Sequence, residues 1–159
     1  MYDLRAIANY FISRGLGEKV GISPMKLQKL LFFACGIYMA ESEDEGKRLF
    51  SDRFEAWVYG PVISDLYHSL KGYGSNPIDR HIATIDVPGL NITTPMIDER
   101  ETDLLKFLDR IWGRFRGWSA YQLSAATHME GTPWFLARAA GQDVIDDEEI
   151  RKHFTTHAY

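Results

Sequence analysis

A helix that is apolar on every side can sit only in the middle of a fold, and residues 24–41, PMKLQKLLFFACGIYMAE, predict such a helix. Ser23 followed by Pro24 supplies an N-cap and a first-turn proline, whose missing donor is one that the first turn leaves unpaired anyway. Leu27, Leu30, Leu31, Ala34 and Tyr38 mark one stripe, while Phe32, Phe33, Gly36 and Met39 make the later turns apolar on their other sides. Lys26 and Lys29, flanking Gln28, are out of place on so apolar a helix. Their expected role is structural, satisfying nearby carbonyls or carboxylates. The apolar run Leu30–Ala40 is too short to cross a bilayer.

Around this helix the chain predicts a mainly α (α+β) fold: a single compact domain over residues 1–159, of about six helices with a small inserted β element. Leu4, Ile7, Ala8, Phe11 and Ile12 share one helical face, with Gly15 at the C-cap. The charged stretch ESEDEGKR leads to a strand at Phe54–Tyr59, which Gly60 and Pro61 end before a helix carrying Val62, Leu66 and Leu70. Residues 72–95 are the least helical part, with six Gly or Pro. Val87-Pro88-Gly89-Leu90 suits a tight turn with Gly89 at positive φ, and short strands on either side can pair with each other or with Phe54–Tyr59. Capping-box patterns at Asp98/Glu101, Ser119/Gln122 and Asp146/Glu149, and the Thr132-Pro133 pair, open the later helices. In the last of these Ile150 and Phe154 pack as an i, i+4 pair, and residues 155–159 are expected to fray.

At 159 residues the chain can bury a real core. A formal charge of -4 gives no general attraction to phosphate backbones, so strong nucleic-acid binding is not expected. The single cysteine, Cys35, lies in an apolar run, which excludes a disulfide framework and points to a reducing, cytoplasmic setting. An early acid and Asn9 interrupt the amino terminus, so it does not match a signal peptide, and no membrane association is expected.

Catalytic and cofactor readings fail one by one. His128 and Glu130 form an H-x-E, but the downstream cysteines that a zinc deaminase needs are absent. His153 and His157 stand at i, i+4 without a third ligand. Gly15, Gly17 and Gly21 lack a preceding strand and the Walker spacing. No G-x-S-x-G occurs, and Cys35 fits a small core residue. An enzyme using Cys35 or His128 is the reading that these observations disfavour, and no catalytic residue, metal or cofactor is assigned. Arg110, Arg114 and Arg116 suit salt bridges on a solvent face.

What remains is an excess of aromatic residues near helix starts and turns. Trp57, Tyr59, Tyr73 and Trp118, with the polar His128 and Glu130, are the candidate partner-binding residues, because Trp and Tyr offer much contact area for little lost entropy. For any single one of these aromatics the core is the more ordinary place, and Trp134, after a helix-initiating proline, is expected to be buried.

The strings ANYFI, SPMKLQKLLFFA, EAWVYGPV, SAYQLSAATHMEGTPWFLARA and IDDEEIRKHF, in that order, span nearly the whole chain. In them the chain resembles the SocA-like antitoxin family, also called the Panacea domain and associated with phage proteins. The resemblance implies a cytoplasmic antitoxin that binds a cognate protein toxin and neutralises it directly, or presents it to a protease of the Clp type. It implies no catalytic residues and does not identify the toxin. Here FRGW stands where the family more usually has tyrosine-glycine before the SA segment. With nothing ahead of Met1, an appended operator-binding domain is not expected. The alternative is a phage-encoded or host-factor adaptor with no toxin partner.

Overall fold

The computed structural model describes residues 1–159. Helix α1 (Leu4–Glu18) is capped by the Asp3 side chain, and α2 (Pro24–Glu41) by Ser23. A short hairpin follows, of β1 (Glu55–Trp57) and β2 (Gly60–Val62), then α3 (Ser64–Leu70) and a single 3-10 turn over Lys71–Tyr73. A second hairpin joins β3 (Thr84–Asp86) to β4 (Asn91–Thr93). Four helices complete the chain: α4 (Thr102–Phe115), α5 (Ala120–His128), α6 (Pro133–Ala139) and α7 (Asp147–Thr156). The result is α+β as expected, with seven helices and two separate two-stranded antiparallel sheets. No helix is long and apolar enough to cross a membrane.

Helix α2 is the axis. Thirteen of its eighteen residues are buried, and α1, α4, α5 and α7 all pack on it. Its most extensive neighbour is α7, where Phe154 meets Phe32 and Phe33 edge-on at 5.6 Å. That approach requires Gly36, since a Cβ there would lie 2.2 Å from the Phe154 ring. Each fully buried Leu or Phe contributes about 1.5–3 kcal/mol, against roughly 1 kcal/mol net for a hydrogen bond. Packing therefore holds α2 in place, and its polar side chains decide what is attached to it.

Three of those polar side chains, Lys26, Gln28 and Lys29, are buried, and each of the three binds backbone. Lys26 Nζ donates to the Arg116 carbonyl, 2.7 Å away at the C-terminal end of α4, where a cation also suits the helix dipole. Gln28 is bidentate: its Nε2 donates to Ile63 O and its Oε1 accepts from Ile63 N, at 3.1 and 2.9 Å. Lys29 Nζ donates to Pro61 O at 2.8 Å. Burial pushes the Lys29 ammonium down to about 7. Asn9 on α1 plays the same part for the second hairpin, gripping Ile82 N and O and also Pro95 O.

Several local expectations are corrected. Helix α1 runs past Gly15 to a C-cap at Lys19, in the left-handed region at φ 55. Gly15 is instead an inner helical position, where a Cβ would strike Ile22 and the Val20 carbonyl. Gly60 and Pro61 do not end a strand and start a helix; they form the return strand, paired Trp57↔Gly60 through Glu55↔Val62. In the Val87–Leu90 turn the positive φ falls on Leu90, at 52, and not on Gly89. Asp98 accepts from Arg100 N in a turn of its own, so α4 starts at Thr102 without a side-chain cap.

The carboxyl terminus is also corrected. Thr155 and Thr156 complete α7, and Tyr159 folds back against Phe33 with its hydroxyl 2.6 Å from His153 Nε2. Burial and the stacked His157 ring lower the His153 pKa to about 4. The expected salt bridging is present for two of the three arginines, with Arg110 bidentate to Glu41 and Arg116 paired to Glu18, while Arg114 forms none. The charged loop after α2 is tied to α7 by the buried Arg48, which pairs with Asp147.

Three outcomes test this architecture. Gly36→Ala forces a methyl into the Phe154 ring and should destabilise the protein by about 1–3 kcal/mol. Gly113→Ala, in α4 with open space around it, should be neutral or stabilising by up to about 1 kcal/mol, both measured by urea unfolding. Lys29 binds fewer protons folded than unfolded between its folded value of about 7 and the model-peptide value of 10.5. Stability should therefore rise with pH across that window, and Lys29→Met should flatten the rise.

Candidate functional site

The β1–β2 hairpin is built around a two-residue tip, Val58-Tyr59. Neither tip residue has positive φ; that conformation falls on Gly60, at 105, which only glycine adopts without strain. A side chain at 60 would also collide with Lys29 Nζ and Thr127 Oγ1, both 2.9 Å from its Cβ position. The second edge of β1 is covered by residues 143–145, through Ala56 N to Asp143 O at 2.7 Å and Ile145 N to Phe54 O at 2.8 Å.

A hairpin this short is not stable alone, and helices on either side capture its carbonyls one after another. Arg138 donates to Ala56 O at 3.2 Å, Trp134 Nε1 to Trp57 O at 2.6 Å, and Ser124 Oγ to Tyr59 O at 3.2 Å. Lys29 and Gln28 hold Pro61 and Ile63 from below. His128 lies between carbonyls, with Nδ1 2.6 Å from Ser124 O and Nε2 3.1 Å from Val58 O. The ring also packs on Trp134, with centroids 4.0 Å apart. Thr132, the N-cap of α6, donates to Thr127 O and Met129 O and so tightens the turn that positions Trp134.

With its polar atoms turned inward, the hairpin presents an apolar outer surface. Tyr59 and Tyr121 are 71% and 80% exposed, and Val58, Met129 and Met25 are exposed beside them. Two grooves meet here, both lined by Tyr59 and Met25. One, of about 800 Å³, runs past Trp57, Tyr67 and Arg138. The other, of about 750 Å³, runs along Tyr121, His128 and Met129.

The six residues singled out from the sequence separate accordingly. Tyr59 stands fully at this surface. Trp57 is half-buried, its indole N–H on Glu55 Oε2 at 2.6 Å and its ring 4.8 Å from Tyr67. His128 is half-buried and engaged in the clamp. Glu130 is exposed in the α5–α6 turn but lines neither groove. Tyr73 and Trp118 pack partly against the core, Tyr73 with its hydroxyl on Asp79 and Trp118 against Phe115, and neither lines the grooves. Trp134, expected to be buried, is half-buried, its indole N–H held on the Trp57 carbonyl.

Met25, Val58, Tyr121 and Met129 were missed. A signal existed for two of them: Tyr121, Ala125 and Met129 recur every four residues on the side of α5 away from the buried Leu123 and Thr127. The residues weighed for chemistry lie elsewhere or are occupied. Cys35 is fully buried, and burial pushes its thiol pKa up.

Comparison with known proteins agrees with this frame. The model of the family "Antitoxin SocA-like, Panacea domain" matches residues 27–135, from within α2 to α6, and so takes in both hairpins and most of the clamp. "Antitoxin SocA" of Caulobacter vibrioides (strain NA1000 / CB15N) is 34% identical over 159 residues, covering 96% of this chain and 82% of that protein. No solved structure matches the chain. A hairpin held by the side chains of three helices, with a match this long, leads to one conclusion: the chain belongs to the SocA-like antitoxin (Panacea domain) family.

Proposed function

We propose that this protein is an antitoxin that binds a cognate protein toxin through the β1–β2 tip and the outer face of α5, and neutralises it by direct blocking or by presenting it to a protease. The observation that carries this reading is Tyr59: a large aromatic side chain left in solvent on a backbone whose carbonyls are held from three helices. A rigid anchor of this kind loses little entropy on binding, and Tyr121, Met129 and Met25 extend it into a contiguous apolar patch. A role without catalysis is supported by the placement of the reactive groups, with Cys35 sealed in the core and the His128 ring enclosed between the Ser124 and Val58 carbonyls. A Clp-type protease is the delivery route we favour where neutralisation proceeds through degradation, and the cytoplasm is the compartment in which such a protease and a reduced Cys35 coexist.

Co-expression with the product of the adjacent gene tests the proposal. Rescued growth with a stable complex supports direct blocking; rescued growth with disappearance of the toxin supports delivery to a protease. An adjacent product that is harmless and forms no complex overturns the antitoxin reading in favour of the adaptor one.

The anchors separate from the scaffold by substitution. Tyr59→Ala and Tyr121→Ala should each weaken toxin binding by at least tenfold with an unchanged melting temperature, read by calorimetric titration and thermal denaturation. Trp134→Phe leaves the Trp57 carbonyl without its donor and should lower stability by about 1–3 kcal/mol, because an orphaned polar group carries its full desolvation penalty.

A further inference from the structure

The second hairpin leaves its apolar side uncovered. Register pairs Ile85 with Ile92 between the Thr84–Thr93 and Asp86–Asn91 pairs, so alternation places the isoleucines on one face and the polar residues on the other. In a sheet that serves only its own core, the apolar face turns inward. Here the polar residues Asp86, Asn91 and Thr93 are exposed and Thr84 is half-buried, while Ile85, Val87, Leu90 and Ile92 are between 65% and 82% exposed, so the hairpin projects from the core with its apolar face uncovered. Leu90 is also the tip residue at positive φ, a conformation suited to Gly or Asn. A leucine both strained and exposed does nothing for the folded monomer.

The foot of this hairpin is fixed. One buried side chain, Asn9, bonds both legs, at Ile82 and at Pro95. The apolar face is thus held out on a rigid base, and none of its residues lines the grooves of the first hairpin.

Charge selects the occupant. Residues 79–101 hold five acids, Asp79, Asp86, Asp98, Glu99 and Glu101, against two bases, Arg80 and Arg100, so this segment carries most of the protein's net charge of -4. Both bases are already paired, with Asp79 and Asp98, leaving Asp86, Glu99 and Glu101 in no salt bridge. A second copy would bring like charges together across a two-fold axis, over an apolar face of about four side chains where a stable dimer buries about 800 Å² per partner. An anionic lipid surface would repel the same rim.

We infer that the β3–β4 hairpin is a second docking surface, inserted by its apolar face into a cleft on the cognate toxin whose rim is lined by Lys and Arg. This rests on the antitoxin reading above and names the chemistry of the toxin surface engaged. The toxin is then held at two places, the β1–β2 tip and this hairpin, and the second contact is the salt-sensitive one.

The test uses the full chain with the toxic product of the adjacent gene. The double variant Ile85→Ser/Ile92→Ser alters exposed positions and should leave the melting temperature unchanged, while toxin affinity falls at least tenfold and growth rescue is lost. Asp86→Lys/Glu99→Lys should weaken binding most at low salt and abolish much of its salt dependence. In hydrogen exchange, residues 84–93 of the wild-type chain should gain protection in the complex. Wild-type rescue with both variants equally effective overturns the second surface and leaves the antitoxin reading intact; no wild-type rescue overturns both. A mass by light scattering that doubles for the wild type and not for the serine variant, or binding of the wild type to phosphatidylglycerol vesicles, would overturn the proposal by naming another occupant.

Discussion

Everything attached to the central helix depends on a solution to one problem: a polar side chain inside an apolar core must find a partner or leave. Gln28 and Asn9 solve it alike, each using one amide to satisfy both the N–H and the C=O of a single residue, Ile63 in one case and Ile82 in the other. That is the service a neighbouring strand would perform, so each amide acts as a one-residue strand at the base of a hairpin. Lys26 and Lys29 extend the device to the end of α4 and to Pro61. Hairpins of three-residue strands would be marginal without this support.

The outer surface follows from the inner bonding. Since Arg138, Trp134, His128, Ser124 and Lys29 take the carbonyls of the first hairpin, its polar backbone is directed into the protein and its tip side chains are directed out. The residues that make the chain recognisable, the KLQK run and the TH…TPW connection, are mostly those that build the clamp. The residues available to a partner stand between them: Val58, Tyr59, Tyr121 and Met129. Scaffold and contact surface are thus interleaved along the chain. A frame of this kind can carry different contact residues without losing its shape, because Tyr59 and Tyr121 bond nothing in the frame through their side chains.

Much of the fold was legible because it depends on near neighbours in the chain. The start of α2 at Pro24 follows from Ser23, and the Ser119/Gln122 capping box and the Thr132 and Asp146 caps fall where the sequence places them. Misread positions were those where a distant contact outweighs local preference. Gly15 is glycine because Ile22 and Val20 crowd it. Leu90 takes the left-handed conformation that Gly89 beside it would take at less cost. Tyr159 is held by Phe33, across almost the whole chain. Of the candidate site, Tyr59, Trp57 and His128 were legible as unusual residues, whereas Tyr73 and Trp118 were chosen on the same grounds and pack elsewhere.

By itself, then, the sequence determined the helical class, the central position of α2, the presence of a β insertion and the family to which the chain belongs. These rest on periodicity, capping and local residue order, all of which operate within a few residues. Only the tertiary structure decided that Gly60-Pro61 returns as a strand, that Gln28 and Lys29 of α2 face hairpin carbonyls, and that Ile85 and Ile92 face solvent. Those outcomes depend on which surfaces meet, and a hydrogen bond between Trp134 and Trp57 leaves no trace in the spacing of either residue.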